Sequence, residues 1–136
     1  MLEEILAQYQ GEKAQSLSPL VLAYVGDAVY ELFVRGYVLR TGNAPVNKLH
    51  RRSRDLVKAA GQTAFYHRVE GMLTEEEAAV FKRGRNAKSH TMAKNADMMD
   101  YRIATGVEAL FGYLYLDGQL KRLGELFEAG LPPEKE

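Results

Sequence analysis

The chain has no cysteine, which excludes a disulfide framework and any thiolate metal site and suits the cytosol. Its histidines, His50, His67 and His90, do not have the spacing of metal ligands. No apolar run reaches the roughly 18 residues that a membrane helix needs. The acidic start MLEEILAQYQ lacks the basic segment of a signal peptide. We therefore expect a cytoplasmic protein with no membrane partner.

The length and the charge distribution indicate one globular domain with a basic middle. The 136 residues are 46% hydrophobic and 26% charged, which is ordinary for a folded chain, and we expect residues 1–136 to form a single domain. The net charge of zero hides a segregation, because residues 48–94 hold eleven Lys and Arg against five Asp and Glu. A basic middle between acidic ends points weakly to a polyanion partner, while a solvated helix face is an equally open interpretation.

Helix signals recur along the chain and no segment reads as a convincing strand, so the predicted fold class is all-α. Ser18 and Pro19 predict a helix start, and Thr41 with Gly42 predicts its end beyond Arg40. A helix is predicted after Pro45, broken or bent at Gly61, and a short helix follows it to Gly71. Thr74 and Glu77 predict a capping box at the start of the next helix, and residues 84–96 are predicted to be a basic loop. Asp97 is predicted to cap a long helix that ends at Asp117–Gly118, and a last helix ends at Gly130.

Two predicted helices are apolar nearly all the way round, and each contains a lone acid. Asp27 lies in the run of residues 20–34, and Glu108 lies in the run of residues 103–116. An unpaired ionised carboxylate in such surroundings is costly, so each acid needs a partner. An arginine such as Arg35 or Arg102, a backbone donor, or a divalent cation shared by both acids would serve.

Small residues beside each acid bear on which of these partners the acids have. Gly26 and Gly106 would let the two helices approach closely enough for the acids to meet. A pair of buried acids that are each salt-bridged for packing remains the open alternative at this point.

The two acid helices carry a resemblance to a known family. The segment YVGDAVYELFV resembles the signature helix of ribonuclease III, and VEALFGYLYLDG is similar to the second catalytic helix of that family. The resemblance covers roughly residues 16–128 and leaves no length for a separate double-stranded-RNA-binding domain, as in the Mini-III subgroup. It implies the all-α ribonuclease III endonuclease-domain fold and a homodimer. The sequence departs from the family at Leu20, Ala23 and Thr105, where ribonuclease III usually has further acids.

The resemblance also implies an activity. Asp27 and Glu108 take the positions of the catalytic, metal-binding acids, so we expect them to hold Mg²⁺ jointly, with Mn²⁺ as a substitute. The implied reaction is hydrolysis of double-stranded RNA to 5′-phosphate and 3′-hydroxyl products. The implied substrate is the precursor of bacterial 23S ribosomal RNA, whose ends Mini-III enzymes mature. A ribosomal protein is a candidate accessory partner in such ribosome biogenesis.

Two basic clusters are candidates for holding RNA, since duplex RNA is read mainly through phosphates and 2′-hydroxyls. Either cluster alone is also typical of a solvated face. The first surrounds the predicted basic loop and comprises Lys82, Arg83, Arg85, Asn86, Lys88, Ser89, His90 and Lys94. The second lies on the helix predicted after Pro45 and comprises Lys48, Arg51, Arg52 and Arg54.

One acid pair cuts one strand, so a duplex cutter needs two sites, which the family supplies by homodimerisation. The apolar residues Leu22, Tyr24, Val25, Val29 and Phe33 of the signature helix are candidates for an isologous contact, or else for the core of the monomer.

Two rival functions stay open from the sequence. One is a non-catalytic RNA-binding or ribosome-associated module with a ribonuclease III-like fold, which would need the basic clusters but not the acids. The other is a helical protein-interaction domain in which both acids are salt-bridged. Cleavage of duplex RNA in Mg²⁺ against an EDTA control separates all three.

Overall fold

The computed structural model describes Tyr9, residues 13–88 and residues 97–133. These residues form six α-helices: α1 Pro19–Thr41, α2 Val46–Val57, α3 Ala59–Val69, α4 Glu75–Asn86, α5 Met98–Leu116 and α6 Leu120–Gly130. Two single 3-10 turns, Ala14–Ser16 and Glu70–Met72, precede α1 and α4. The described residues contain no strand, so the predicted all-α class is confirmed. Within these ranges, no helix combines the length and the apolar character needed to cross a bilayer.

Local side-chain caps begin the three helices at which the sequence predicts them. The Ser18 hydroxyl accepts a hydrogen bond from the backbone N–H of Val21 at 3.2 Å. Thr74 and Glu77 form the predicted capping box, with reciprocal bonds of 3.1 and 2.9 Å. Asp97 accepts hydrogen bonds from two N–H groups in the first turn of α5. Each cap satisfies donors that no helical carbonyl can reach, and these predicted starts are confirmed.

The predicted break at Gly61 is wrong by three residues. The chain turns at Lys58, whose ψ of 159° ends α2 and precedes α3. Gly61 lies inside the first turn of α3, where an added Cβ would come 2.1 Å from the carbonyl oxygen of Asp55. The glycine therefore lets the start of α3 pack against the end of α2 rather than breaking a helix.

Helix α5 occupies the centre of the fold and packs against α1, α3, α4 and α6. Its most extensive contact is with α1, and two glycines make that contact close. A Cβ on Gly26 would lie 1.6 Å from the carbonyl oxygen of Glu108, and one on Gly112 would lie 1.9 Å from that of Leu22. The prediction for Gly26 is confirmed. The prediction for Gly106 is wrong, because that glycine faces the Phe81 ring on α4.

Aromatic side chains form the core beneath the α1–α5 contact. Tyr30 packs edge-on against Phe65 and Phe111, with ring centroids 5.6 and 5.2 Å apart. Phe127 of α6 lies 6.2 Å from Phe65 and completes the cluster. Tyr30 and Phe111 each follow one of the lone acids by three residues, so packing of the rings fixes the rotation of both acid-bearing helices.

Helix α1 buries only one of its faces in the described chain. Leu22 is fully buried and Phe33 packs on Phe111, so these two residues of the expected symmetry contact belong to the monomer core. Val21, Tyr24 and Leu32 are 46%, 81% and 69% exposed. Helix α1 thus presents a stripe of large apolar side chains outward, and only part of its apolar surface belongs to the monomer core.

Candidate active site

The fold brings the two lone acids together. Gly26 places α1 directly against the backbone of Glu108, and the neighbouring side chain on α1 is Asp27. The carboxyl groups of Asp27 and Glu108 lie close enough to share a hydrogen bond. Asp27 is exposed and Glu108 is half-buried, so the pair lies at an opening of the surface rather than inside the core.

The environment disfavours two negative charges at this point. Burial, followed by a shared hydrogen bond with the adjacent Asp27 carboxyl and by the charge of that carboxyl, raises the pKa of Glu108 to about 8. Two carboxyls in contact cannot both ionise freely, so the pair holds one proton near neutral pH unless a cation replaces it. Such a pair has the electrostatic character of a cation site.

No basic side chain of residues 13–88 or 97–133 neutralises the pair. Arg35, one of the expected partners, is bound to Glu31 at 2.8 Å, and Arg102 is exposed. Among the residues that the structure describes, no lysine or arginine lies within ion-pair distance of Asp27 or Glu108. The open alternative of two salt-bridged structural acids therefore does not describe this site.

A third polar group at the site escaped the sequence analysis. Gln62 of α3 is buried, and its Nε2 donates to Glu108 Oε2 at 3.4 Å. The signal that could have found it is local: Gln62, Phe65 and Val69 share one face of α3 at helical spacing, and only the first is polar. A lone polar residue on an apolar stripe predicts a buried hydrogen bond.

The end of α4 lies beside the acid-bearing segment of α5. Gly84 is in contact with Gly106 and Ala109, which flank Glu108. The last turn of α4 carries four of the predicted RNA-binding residues, and one more follows it. These are Lys82, Arg83, Arg85, Asn86 and Lys88.

Two of these side chains have neutral partners. Arg83 donates to the carbonyl of Gln15 at 3.4 Å, and Arg85 donates to Asn86 at 3.2 Å while lying 6.0 Å from the Phe81 ring. Residues 84–86 are helical, so the predicted loop begins later than expected, because α4 continues through Asn86. Ser89, His90 and Lys94 lie outside the described residues.

The second basic cluster lies on α2. Lys48, Arg51, Arg52 and Arg54 are all exposed. Arg52 donates to the carbonyl of Gly42, which follows the last residue of α1. The end of α2 adjoins the acid site through Tyr30, whose hydroxyl donates to the Leu56 carbonyl at 3.0 Å and whose pKa is raised by burial.

The sequence profile of the family described as "Ribonuclease III domain" matches residues 20–119, a span that contains both acids and the helices that hold them. The chain belongs to the ribonuclease III family. The resemblance drawn from the two acid helices is confirmed, and so is the ribonuclease III fold. Membership of this family makes the chain a ribonuclease of the endonuclease type.

Relatives of the same family cover most of the chain. It is 48% identical over 122 residues to a Mini-ribonuclease 3 from Clostridium tetani, a match that covers 89% of this chain and 81% of that protein. It is 51% identical over 114 residues to a Mini-ribonuclease 3 from Enterococcus faecalis, covering 82% and 86% of the two chains. The crystal structure of a Fusobacterium nucleatum protein aligns with a TM-score of 0.76 at 30% identity, covering 87% and 94%.

The acid site of this ribonuclease III chain has fewer acidic residues than the usual family pattern. Ala23 and Thr105 occupy two positions at which further acids are usual, and both are buried. The Thr105 hydroxyl donates to the Tyr101 carbonyl in its own helix. Across the described ranges, no group of three or more metal-ligating side chains forms, so no third described acid joins Asp27 and Glu108 in such a group.

Proposed function

We propose that this chain cuts double-stranded RNA by hydrolysis that depends on a divalent cation held by Asp27 and Glu108. The observation that carries the proposal is the contact between these two carboxyls at a surface opening, with no basic side chain near them in the described chain. A non-catalytic RNA-binding module has no use for such a pair, which costs stability and weakens attraction to phosphate. The pair therefore favours the enzyme over that alternative.

The donor set fits Mg²⁺, with Mn²⁺ as a substitute. Mg²⁺ keeps several waters and is bound through one or two carboxylates together with substrate phosphates. Asp27 and Glu108 supply those carboxylates, and the exposure of Asp27 leaves room for water and RNA. When bound, the cation supplies positive charge that stabilises the phosphate in the transition state and lowers the pKa of an attacking water.

The protein residues perform the positioning around that chemistry. Gly26 fixes the separation of α1 and α5, and therefore that of the two acids. The rings of Tyr30 and Phe111 hold the helix rotations that direct both carboxyls to one opening. Because the raised pKa of Glu108 keeps a proton on the pair near neutral pH, Asp27 and Glu108 would give up that proton in order to hold a cation.

The RNA is held by the basic end of α4, next to the acids, and by α2. Lys82, Arg83 and Lys88 are exposed, and Gly84 seats this turn against α5. The proposed role of these side chains is to bind phosphates of the RNA near the scissile bond. The same role is proposed for Ser89, His90 and Lys94, and for Lys48, Arg51 and Arg52 of α2.

Cleavage of both strands requires a homodimer, for which the outward stripe of α1 is the proposed contact. Val21, Tyr24 and Leu32 are exposed apolar side chains on one helix, a composition that suits an isologous interface. Sedimentation at micromolar concentration tests this. We expect a dimer for the wild type, a monomer for Leu32→Glu, and a dimer for Met72→Glu, which alters an exposed apolar residue outside α1. A monomeric wild type would contradict the two-strand mechanism.

The proposed substrate is the precursor of 23S ribosomal RNA, with a ribosomal protein as an accessory partner. Two facts support the substrate: the similarity to Mini-ribonuclease 3 proteins and the basic surface beside the acids. Mapping of cleavage sites on a precursor transcript tests it, with and without ribosomal proteins. Cuts at the mature ends support the substrate, whereas scattered cuts indicate a different RNA.

The decisive experiment incubates the purified protein with duplex RNA in Mg²⁺, in Mn²⁺ and in EDTA. We expect fragments with 5′-phosphate and 3′-hydroxyl ends in either cation and intact RNA in EDTA. Retention of intact RNA under all three conditions would select the binding module instead. Cleavage that persists in EDTA would remove the cation from the proposal.

A further inference from the structure

Gln62 is a polar side chain on a helix face that is otherwise built for the core. It is 4% exposed, and Phe65 and Val69 on the same face of α3 are 3% and 1% exposed. Leucine or methionine would fill such a position without needing a hydrogen-bond partner. The presence of a carboxamide therefore calls for an explanation from its contacts.

Both hydrogens of the Gln62 carboxamide are committed. Nε2 donates to the Val57 carbonyl at 3.0 Å and to Glu108 Oε2 at 3.4 Å. Rotation of the amide by half a turn would direct its oxygen at these two acceptors, which is repulsive. The amide orientation is thus fixed by its surroundings.

The interruption of the helical backbone at Lys58 makes the Val57 carbonyl available to the Gln62 side chain. In a continuous helix, the Val57 carbonyl would accept from the N–H of Gly61. Lys58 is extended instead, and α3 restarts with the Gln62 N–H bound to the Lys58 carbonyl at 3.0 Å. The Val57 carbonyl is left for the Gln62 side chain, which bridges the end of α2 to the acid on α5.

This bridge leaves one polar atom unsatisfied. Gln62 Oε1 is buried and has no hydrogen-bond partner among the described residues. A buried acceptor without a partner lowers the stability of the fold, so packing alone does not favour glutamine here. A functional role for the contact with Glu108 would explain the presence of glutamine at this buried position.

We infer that Gln62 is a positioning residue, whose carboxamide is anchored on α2 and holds the Glu108 carboxylate in one orientation toward Asp27. The inference rests on the proposed function, because it makes Gln62 act on the cation site through Glu108. A carboxylate held by a fixed donor presents its oxygens to the cation without first losing rotamer freedom. Partners of this kind behind a metal ligand typically contribute about 10- to 100-fold in metal affinity or activity.

The test compares Gln62→Met and Gln62→Leu with Thr63→Val. The first two variants remove the donor in two different shapes. The third removes a buried hydroxyl that also lacks a partner and lies one residue away, without touching the acids. Mn²⁺ affinity is measured by calorimetry, the Mg²⁺ dependence of duplex cleavage by initial rates, and thermal stability in EDTA by circular dichroism.

We expect both Gln62 variants to bind Mn²⁺ about 10- to 100-fold more weakly and to need correspondingly more Mg²⁺ for cleavage. Their melting temperatures in EDTA should stay within a few degrees of wild type, and Thr63→Val should match wild type in all measurements. Agreement between methionine and leucine would assign the effect to the lost donor rather than to packing.

Three results would overturn the inference. The first is wild-type Mn²⁺ affinity and Mg²⁺ dependence in both variants while the wild type cleaves RNA normally, which leaves the proposed function intact. The second is an equal loss in Thr63→Val, which assigns the effect to packing. The third is a wild type that neither binds Mn²⁺ nor cleaves RNA, which removes the proposed function and this inference together.

Discussion

Glu77 and Glu108 are both shielded from solvent, yet the surroundings of Glu77 favour its negative charge and those of Glu108 disfavour it. Glu77 is 3% exposed, caps α4 with Thr74, and receives two hydrogen bonds of 2.9 Å from the Arg122 guanidinium. The bonds from Arg122 hold the pKa of Glu77 below its usual range. Glu108 instead faces Asp27, and burial together with that acid raises its pKa to about 8.

The difference teaches how to tell a structural acid from a functional one. At Glu77 the hydrogen bonds from Arg122 and Thr74 outweigh burial and favour the charged carboxylate, so the acid contributes to folding. At Glu108 burial and a second acid disfavour the charge, and only the amide of Gln62 favours it. An arrangement that weakens the fold at one site is typical of a site selected for binding or chemistry.

The largest expected effect is the loss of cleavage on neutralising the acid pair. Asp27→Asn or Glu108→Gln removes a carboxylate that holds the cation, so duplex cleavage should fall by about a thousandfold or more, equivalent to about 4 kcal/mol in the barrier. Folding and RNA binding should persist.

Glu31→Gln is the matched control, because it changes an acid one turn from Asp27 on the same helix and should retain activity. Substantial cleavage by either acid variant would take that residue out of the mechanism.

The reverse result is expected at Glu77. Glu77→Gln keeps the shape of the cap but removes the charge that Arg122 grips, and we expect a loss of about 2–3 kcal/mol in the free energy of unfolding. Denaturant titration measures this. Glu75→Gln, in the same first turn but exposed, should be near neutral. Equal stabilities for the two variants would show that the Arg122 contact does not stabilise the fold.

The two acids should also give pH dependences of opposite sign in EDTA. Between about pH 4.5 and 8 the unfolded chain releases the Glu108 proton while the native state retains it, so stability falls as pH rises across that window. For Glu77 the native pKa is the lower one, so its contribution is lost as pH falls below about 4.5.

Denaturation of the wild type and Glu108→Gln from pH 5 to 8 tests the first slope. The variant should lose less stability over this range, by about 1–2 kcal/mol, since partial exposure of Glu108 reduces the full linkage value. Parallel profiles for the two proteins would contradict the raised pKa.

The smallest expected effect concerns arginines rather than acids. Arg122 is committed to Glu77, whereas Arg83 and Arg85 have only neutral acceptors in the described chain and remain available for phosphates. Arg83→Ala with Arg85→Ala should reduce the salt slope of duplex-RNA binding by about one to two in EDTA. Lys121→Ala, an exposed charge on α6, is the control. A slope equal to wild type in the double variant would remove this turn from the RNA contact.

The helix starts could be predicted from the sequence because their causes are local. Ser18, Asp97 and the pair Thr74 with Glu77 bind N–H groups within three residues of themselves, so the sequence contains both partners of each bond. The interpretation of Gly61 as a helix break was wrong because it used only local sequence. A glycine in a helical pattern predicts a break locally, but here its small size serves a contact with α2.

The candidate site was predictable in part. Asp27 and Glu108 stand out because each is a lone acid in an apolar helix, and the family resemblance joins them. Gln62 was missed, because its importance depends on a carbonyl freed at Lys58 and on an acid 46 residues away. The outward stripe of α1 was one of two alternatives that the sequence left open, since hydropathy alone does not distinguish a buried apolar face from an exposed one.

The sequence by itself determined the all-α class, the capped ends of the helices and the two acids that break the apolar pattern, because these follow from bonds and periodicities within a few residues. Only the tertiary structure decided that α1 crosses α5 at Gly26 and Gly112, that the acids meet there without an arginine in the described chain, and that Gln62 binds Glu108. Such contacts depend on the packing of distant helices, which no local pattern encodes.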